Sequence, residues 1–157
     1  MDKSEAEKDW PDLAGRLAEG EHCLPIRVYF EDTDFTGLVY HANFLKFCER
    51  GRSDFVRKLG VSHTKLERGD QENGPSVFVV RGMEIDFFAP AHIDNVLLVK
   101  TRIGEVGAAT LVLNQSVWRH EKLLMTAKVR IVLISKSGKP LRIGQRLRET
   151  LTKFSEG

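Results

Sequence analysis

Three acids, Glu31, Asp32 and Asp34, lie between an apolar run that ends at Phe30 and a glycine, Gly37; Tyr40-His41-Ala42-Asn43 then follows as a helical pattern begins. Chemistry on an acyl group needs a nucleophile or base on one side of the carbonyl and oriented N–H donors near its oxygen. Asp34, just ahead of Gly37, offers the first, and the free N–H groups of a helix opening at His41 to Asn43 offer the second. An ionised aspartate either attacks a thioester directly or activates a water, and a thiolate leaves far more readily than an alkoxide. Asp32 reads instead as a turn former, because Asp side chains bond nearby backbone N–H groups. Glu31 receives no task.

The letters Asp32, Asp34 and Thr36 also match a phosphatase-type Asp-x-Asp-x-Thr pattern after a hydrophobic strand. That chemistry needs a parallel βαβ core and further acids downstream to hold magnesium, and the remaining pattern supplies neither. His22, His41, His63, His92 and His120 are scattered, with no Cys/His grouping at metal-ligand spacing, so no metal is expected. Cys23 and Cys48 are expected as reduced, small core residues in a strand and a helix.

The elements around the acids can be read from periodicity. Residues 22–30 alternate as a strand, with Ile26, Val28 and Phe30 on one face. From Asn43 to Leu59 the period becomes helical: Phe44, Phe47, Cys48, Gly51, Phe55 and Leu59 share a stripe, with Asn43 as N-cap and Gly60 as stop. Gly51 inside that stripe marks either a close approach by a sheet backbone or a symmetry mate, or a tolerated weak spot. Residues 61–75 read as a short helix and a polar loop. Alternating runs follow, with one face carrying Val77, Val79, Met83, Ile85 and Phe87, then Leu97 to Ile103, Leu111 and Leu113, and Leu123 to Leu133. Short turns between these runs predict an antiparallel meander. The fold class is therefore α+β, a strongly curved sheet wrapped on one long helix. Residues 1–21 are taken as a polar, frayed extension with a short helix after Pro11, residues 22–147 as the domain, and 148–157 as a tail; a terminal helix is expected within Leu141 to Phe154. A half-covered sheet with edges to manage favours a homo-oligomer, a dimer that pairs edge strands.

The run from Arg27 to Leu45, continuing through Phe47-Cys48-Glu49-Arg50-Gly51-Arg52, resembles the hotdog-fold acyl-CoA thioesterases. It is most similar to the 4-hydroxybenzoyl-CoA thioesterase group, and within that to the Tol-Pal-associated YbgC type. The stretch Phe78 to Ala91 resembles the same subgroup, and the similarity covers roughly residues 22–147. The resemblance implies that Asp34 is the catalytic carboxylate and that His41 opens the central helix with the N–H that polarises the thioester carbonyl. It places Gly37 in the tight turn, and Tyr40 and Asn43 on the same substrate-binding wall. It also implies that coenzyme A is part of the substrate and that no separate cofactor is used. Its phosphates would lie at the surface between subunits, for which Arg81, Lys128, Arg130, Arg119 and Arg142 are the available cations. Dimer and tetramer both remain open, and an acyl carrier protein is a possible donor. The alternative reading is a non-catalytic acyl-CoA or acyl-carrier-protein binding module on the same fold. A hotdog dehydratase is disfavoured by the Asp34–His41 spacing.

Bulk properties narrow the classes further. The 157 residues suit one domain with one core. With 24 basic and 22 acidic residues the net charge is +2, which is no footprint for nucleic acid. No apolar run approaches the roughly 18 residues of a membrane span. The polar start, Met1 to Asp9, lacks the features of a secretion signal, so a cytoplasmic location is expected.

Overall fold

The computed structural model describes residues 13–61, 63–68 and 74–157. Its strands are β1 (Arg16–Ala18), β2 (Glu21–Arg27), β3 (Ser76–Phe87), β4 (Val96–Val106), β5 (Thr110–Arg119) and β6 (Lys122–Ser135). Its helices are α1 (His41–Lys58), α2 (His63–Arg68) and α3 (Gln145–Glu156). The strands form one antiparallel sheet in the order β1-β2-β4-β5-β6-β3, curved around α1. The α+β arrangement expected from the periodicity is therefore present.

Helix α1 sits on the sheet because its stripe is apolar: Phe44, Phe47, Cys48, Gly51, Phe55 and Val56 are buried. They meet Leu97 and Val99 from β4, Leu111, Leu113 and Val117 from β5, and Met125, Ala127, Val129, Ile131 and Leu133 from β6. Gly51 is a point of close approach. A methyl group there would come within 2.8 Å of Val99 Cγ1 and 3.2 Å of Gln115 Nε2. The neighbours are side chains of the sheet rather than its backbone. Gly60, with φ +86°, ends the helix in the left-handed conformation that glycine adopts freely.

Several expectations need correction. Only β4-β5-β6 is a meander; β3 crosses to the far edge and pairs with β6. Residues 88–95, which make that crossing, can span about 26 Å when extended. Three strand spacings need only about 14 Å, so a short connection suffices. A bulge at Arg81, between the Val80 and Gly82 pairings, also flips the phase of β3. Phe78 and Val80 pair with core residues Leu133 and Ile131, so they share the inner face with Met83, Ile85 and Phe87. Val77 and Val79 point outward, opposite Ile134 and Val132.

The first strand stops at Arg27 rather than Phe30. Of the extension expected to be frayed, residues 1–12 lie outside the described residues. The rest holds no helix: Arg16–Ala18 adds an edge strand beside β2. Residues 69–73 of the expected polar loop also lie outside the described residues. The terminal helix is present as α3, anchored by buried Leu147 and Leu151. Cys48 is in the core, its Sγ 3.9 Å from Met125 Sδ, and burial pushes its thiol up to about 11. Cys23 is half-buried opposite Lys100, on the outer face. Both are free thiols. Among the described residues, no helix is long and apolar enough to cross a membrane.

Candidate active site

After β2 the chain makes a 3-10 turn at Phe30–Asp32. Asp32 is buried, and its Oδ2 accepts the Tyr29 N–H at 2.9 Å. Its carbonyl accepts the Tyr40 N–H at 3.0 Å and the Asn43 Nδ2–H at 2.8 Å. Asp32 therefore shapes the turn, as its residue type suggests. Asn43 is not the N-cap: it is the third residue of α1, and its side chain ties the helix to the acidic turn.

Thr33 and Val39 then form an antiparallel bridge that closes a tight turn. The Gly37 N–H donates to Asp34 O at 3.0 Å, and the Asp34 N–H donates to Leu38 O at 2.9 Å. Gly37 has φ +82° and open space around it, so it serves the backbone conformation rather than a close contact. Asp34 stands exposed on this turn. Its Oδ1 accepts the Thr36 hydroxyl at 2.5 Å and the Thr36 N–H at 2.8 Å. Those two bonds, the hydroxyl first, hold its carboxyl below the usual carboxylate range, and the neighbouring His41 adds to the effect. Oδ2 accepts no hydrogen bond among the described residues.

Helix α1 opens at His41 behind this carboxylate. Its N-cap, Tyr40, has extended dihedrals (φ −63°, ψ 132°) and makes no side-chain capping bond. The Asn43 N–H turns back to Tyr40 O at 2.8 Å, while the N–H groups of His41 and Ala42 meet no acceptor among the described residues. A Ser or Asp cap would have consumed such a donor. Here two donors and the positive end of the helix dipole remain unspent beside an anionic side chain. The exposed His41 ring lies 4.5 Å from the Tyr40 ring and 6.1 Å from Phe87, centroid to centroid. The β3–β4 connection braces the turn, because the Val39 N–H donates to Ala91 O at 2.8 Å and Leu38 bridges His92.

The structure thus brings Asp34, Gly37, Tyr40, His41 and Asn43 onto one turn and helix start. Two supporting residues escaped the sequence reading. Thr36 orients Asp34, and its signal was the Asp-x-Thr spacing that the phosphatase pattern also uses. Phe87 supports His41 from the end of β3, and nothing local in the sequence announces that contact. Of the surface cations, Arg81, Lys128, Arg130 and Arg142 are exposed. Arg119 donates to Pro90 O at 2.7 Å, in the bracing connection.

The profile of the Thioesterase superfamily matches residues 36–126, more than half of the chain, beginning two residues past Asp34. The acyl-CoA thioesterase YbgC of Haemophilus influenzae is 37% identical over 118 residues, covering 75% of this chain and 84% of that protein. A probable thioesterase from Bartonella henselae superposes with a TM-score of 0.76 at 48% identity, over 79% of this chain and 99% of the other. A 1,4-dihydroxy-2-naphthoyl-CoA thioesterase from Synechocystis gives 0.74 at 26% identity, over 85% and 96%. With a helix wrapped by a curved antiparallel sheet and matches of this extent, the chain belongs to the thioesterase superfamily, with the hotdog fold.

Proposed function

We propose that the protein hydrolyses acyl-coenzyme A thioesters, with Asp34 as the catalytic carboxylate and the N-terminus of α1 as the carbonyl-polarising site. The observation that carries this is the pairing of an exposed, hydrogen-bond-stabilised carboxylate with two unspent backbone donors at His41 and Ala42. The curated relatives that carry the name acyl-CoA thioesterase support the substrate class.

The thioester carbonyl oxygen would face those donors, so negative charge developing on it meets fixed N–H dipoles. Asp34 Oδ2 then either attacks the carbonyl carbon, expelling the coenzyme A thiolate and leaving an anhydride for water to cleave, or takes a proton from water as that water attacks. Both routes give a free acid and coenzyme A, which enters only as part of the substrate. Gly37 keeps the turn in shape, and Asn43 fixes the turn against the helix. Tyr40 and the His41 ring form the wall beside the donors.

Hydrolysis of a panel of acyl-CoAs of varied chain length by wild type and Asp34→Asn tests the assignment. A loss of about three orders of magnitude or more in kcat/KM is expected for a required nucleophile or base. A loss of only a few-fold overturns the role of Asp34. Saturable binding without turnover on any chain supports a binding module instead.

The working unit is a homodimer in this reading. Strand β3 ends the sheet with twelve residues whose outer edge has no strand partner among the described residues. Val80 and Phe87 on its inner face remain 47% and 46% exposed, an unusual combination for an edge strand left alone. Sedimentation of wild type is expected to give the mass of a dimer or a multiple of it. Val80→Lys, which puts a charge into that face, is expected to shift the protein towards monomer. A wild-type monomer at assay concentration overturns the assembly.

A further inference from the structure

Between the middle of α1 and β3 lies a cleft of about 120 Å³, lined by Glu49, Arg52, Val56, Phe78, Val80 and Ile131 among others. Its volume is close to the roughly 150 Å³ of an engineered cavity that accommodates benzene. Most of its walls are apolar, Glu49 and Ser53 being the polar residues beside Arg52, and this one cation is half-buried and under-used. The Arg52 Nη1–H donates to Gln115 Oε1 at 3.0 Å, and no carboxylate lies within ion-pair distance of Arg52 among the described residues. Gln115 is itself pinned, donating from Nε2 to Cys48 O and Thr101 Oγ1 at 2.9 Å each. A guanidinium carries five N–H donors. One is committed to a rigid amide, which fixes the direction of the others. Burial weighs against the guanidinium charge; the nearby Glu49 charge offsets part of that cost without reaching ion-pair distance, and the unused donors leave room for a further acceptor.

Arg52 lies eleven residues beyond His41, about 16 Å along the helix axis, too far to share the reaction site of its own chain with a small acyl group. The symmetry of β3 removes that separation. The midpoint of Ser76–Phe87 falls between Arg81 and Gly82. A two-fold axis there pairs two copies of the strand antiparallel, with Met83 opposite Val80, Ile85 opposite Phe78 and Phe87 opposite Ser76. Residues directly opposite in such a pair lie on the same face. An unbroken strand would set inner residues against outer ones in this register. The bulge at Arg81 flips the phase, so Met83 meets Val80 and Ile85 meets Phe78, all inner-facing. The strand is thus self-complementary about its midpoint. The rotation carries the Phe87 end of one copy, which touches His41, onto the Phe78 end of the other, which lines the cleft.

We propose that Arg52 is a specificity residue supplied in trans: from its cleft it reads an oxygen acceptor at the far end of the acyl group bound at the partner's Asp34. The inference rests on the thioesterase reading of Asp34. Acyl groups of a few carbons or one ring, ending in a carboxylate, ketone or hydroxyl, fit the apolar walls and the guanidinium end.

The test compares acyl-CoA pairs of equal length, one ending in a methyl group and one in an oxygen acceptor. Arg52→Ala is expected to lose roughly tenfold to a hundredfold in kcat/KM on the oxygen-ended member, the scale of a hydrogen bond to a charged group. The methyl-ended member should change by less than about threefold, and Arg52→Lys should recover part of the loss. A purely structural role would lower both substrates together, and that result overturns the assignment. Co-expressing Asp34→Asn with Arg52→Ala then decides its origin. A mixed dimer regains one intact site, so a random one-to-one mixture should recover about a quarter of wild-type turnover on the oxygen-ended substrate. Turnover no higher than half that of Arg52→Ala alone would place Arg52 in cis and overturn the trans assignment. An Asp34→Asn homodimer that keeps its activity overturns the role of Asp34 on which the inference rests, and a wild type that turns over no acyl-CoA overturns the thioesterase reading, both outcomes separate from the Arg52 result.

Discussion

Helix α1 carries an acid–imidazole combination near each end, and the two could hardly be more different. At the start, Asp34 and His41 are both exposed, and the first-turn donors are unspent. Towards the far end, Asp54 Oδ2 lies 2.6 Å from Nε2 of His22, a residue with no solvent exposure. On distance alone the second pair looks more like a catalytic dyad. Its histidine is sealed, however, while Asp54 keeps only a partly exposed edge: the His22 ring packs on Phe55 at 5.8 Å, and Phe55 on Phe154 of α3 at 5.1 Å. Gly15 presses so closely that any side chain there would collide with the Asp54 carboxylate. The helix end nearby presents carbonyls, which the N–H groups of Leu59, Gly60 and Val61 already occupy. An acid becomes reactive where substrate and unspent donors can meet it. The His22–Asp54 pair instead fastens β2 to α1, with α3 packed over it through Phe55.

The largest effect should separate the two acids by kind. Asp34→Asn is expected to cost about three orders of magnitude in kcat/KM and to leave the melting temperature unchanged, because its carboxylate bonds only its own turn. Asp54→Ala should do the reverse. It strands the His22 Nε2–H in the interior, at a cost of about 1–3 kcal/mol, while turnover per folded molecule stays near wild type. A large activity loss in Asp54→Ala with an unchanged melting temperature would undo the contrast.

The His22–Asp54 pair also predicts a pH dependence of stability. Burial pushes His22 below its ordinary value of 6.5, against the opposing pull of the Asp54 hydrogen bond and charge. Between its lowered folded value and 6.5 the unfolded chain binds more protons than the folded one, so stability falls as pH drops below 6.5. Asp54→Ala removes the opposing pull and lowers the folded value further. Its melting temperature should therefore keep falling to lower pH than that of wild type, a difference that thermal melts across pH 4 to 7 would show (a span chosen around the ordinary histidine value).

The contrast also marks what the sequence could carry. The helix, its apolar stripe and the acidic turn were legible because their signals are local: a 3.6-residue period, a glycine stop, and acids ahead of Gly37. The neighbour of β3 was not, since an alternating pattern records a buried face and says nothing of which strand lies beside it. The Arg81 bulge hid for a related reason: one unpaired residue reverses the phase, and Val77 and Val79 looked as apolar as Phe78 and Val80. His22 read as a scattered histidine because its partner is 32 residues away. Asn43 misled as a cap because Asn suits both an N-cap and the longer reach to Asp32 O that it makes.

The smallest effect probes how Asp34 is kept ready. Thr36→Val removes the hydroxyl bond to Oδ1, the largest cause of its lowered pKa, and leaves the Thr36 backbone bond in place. The carboxyl should then move up towards the ordinary range. Asp34 acts as an anion, so wild type holds its activity to lower pH, and the variant should lose kcat/KM at higher pH as the medium is acidified. Above neutrality both are fully ionised, and the difference should shrink to less than about threefold. The acid limb of the pH–rate profile reads this directly. An unmoved limb with a uniform drop at every pH would mean that Thr36 supports the turn alone. The readiness of Asp34 would then rest on the backbone bond and on His41, which leaves the exposed end of α1 distinguished from the sealed end by its donors rather than by its hydroxyl.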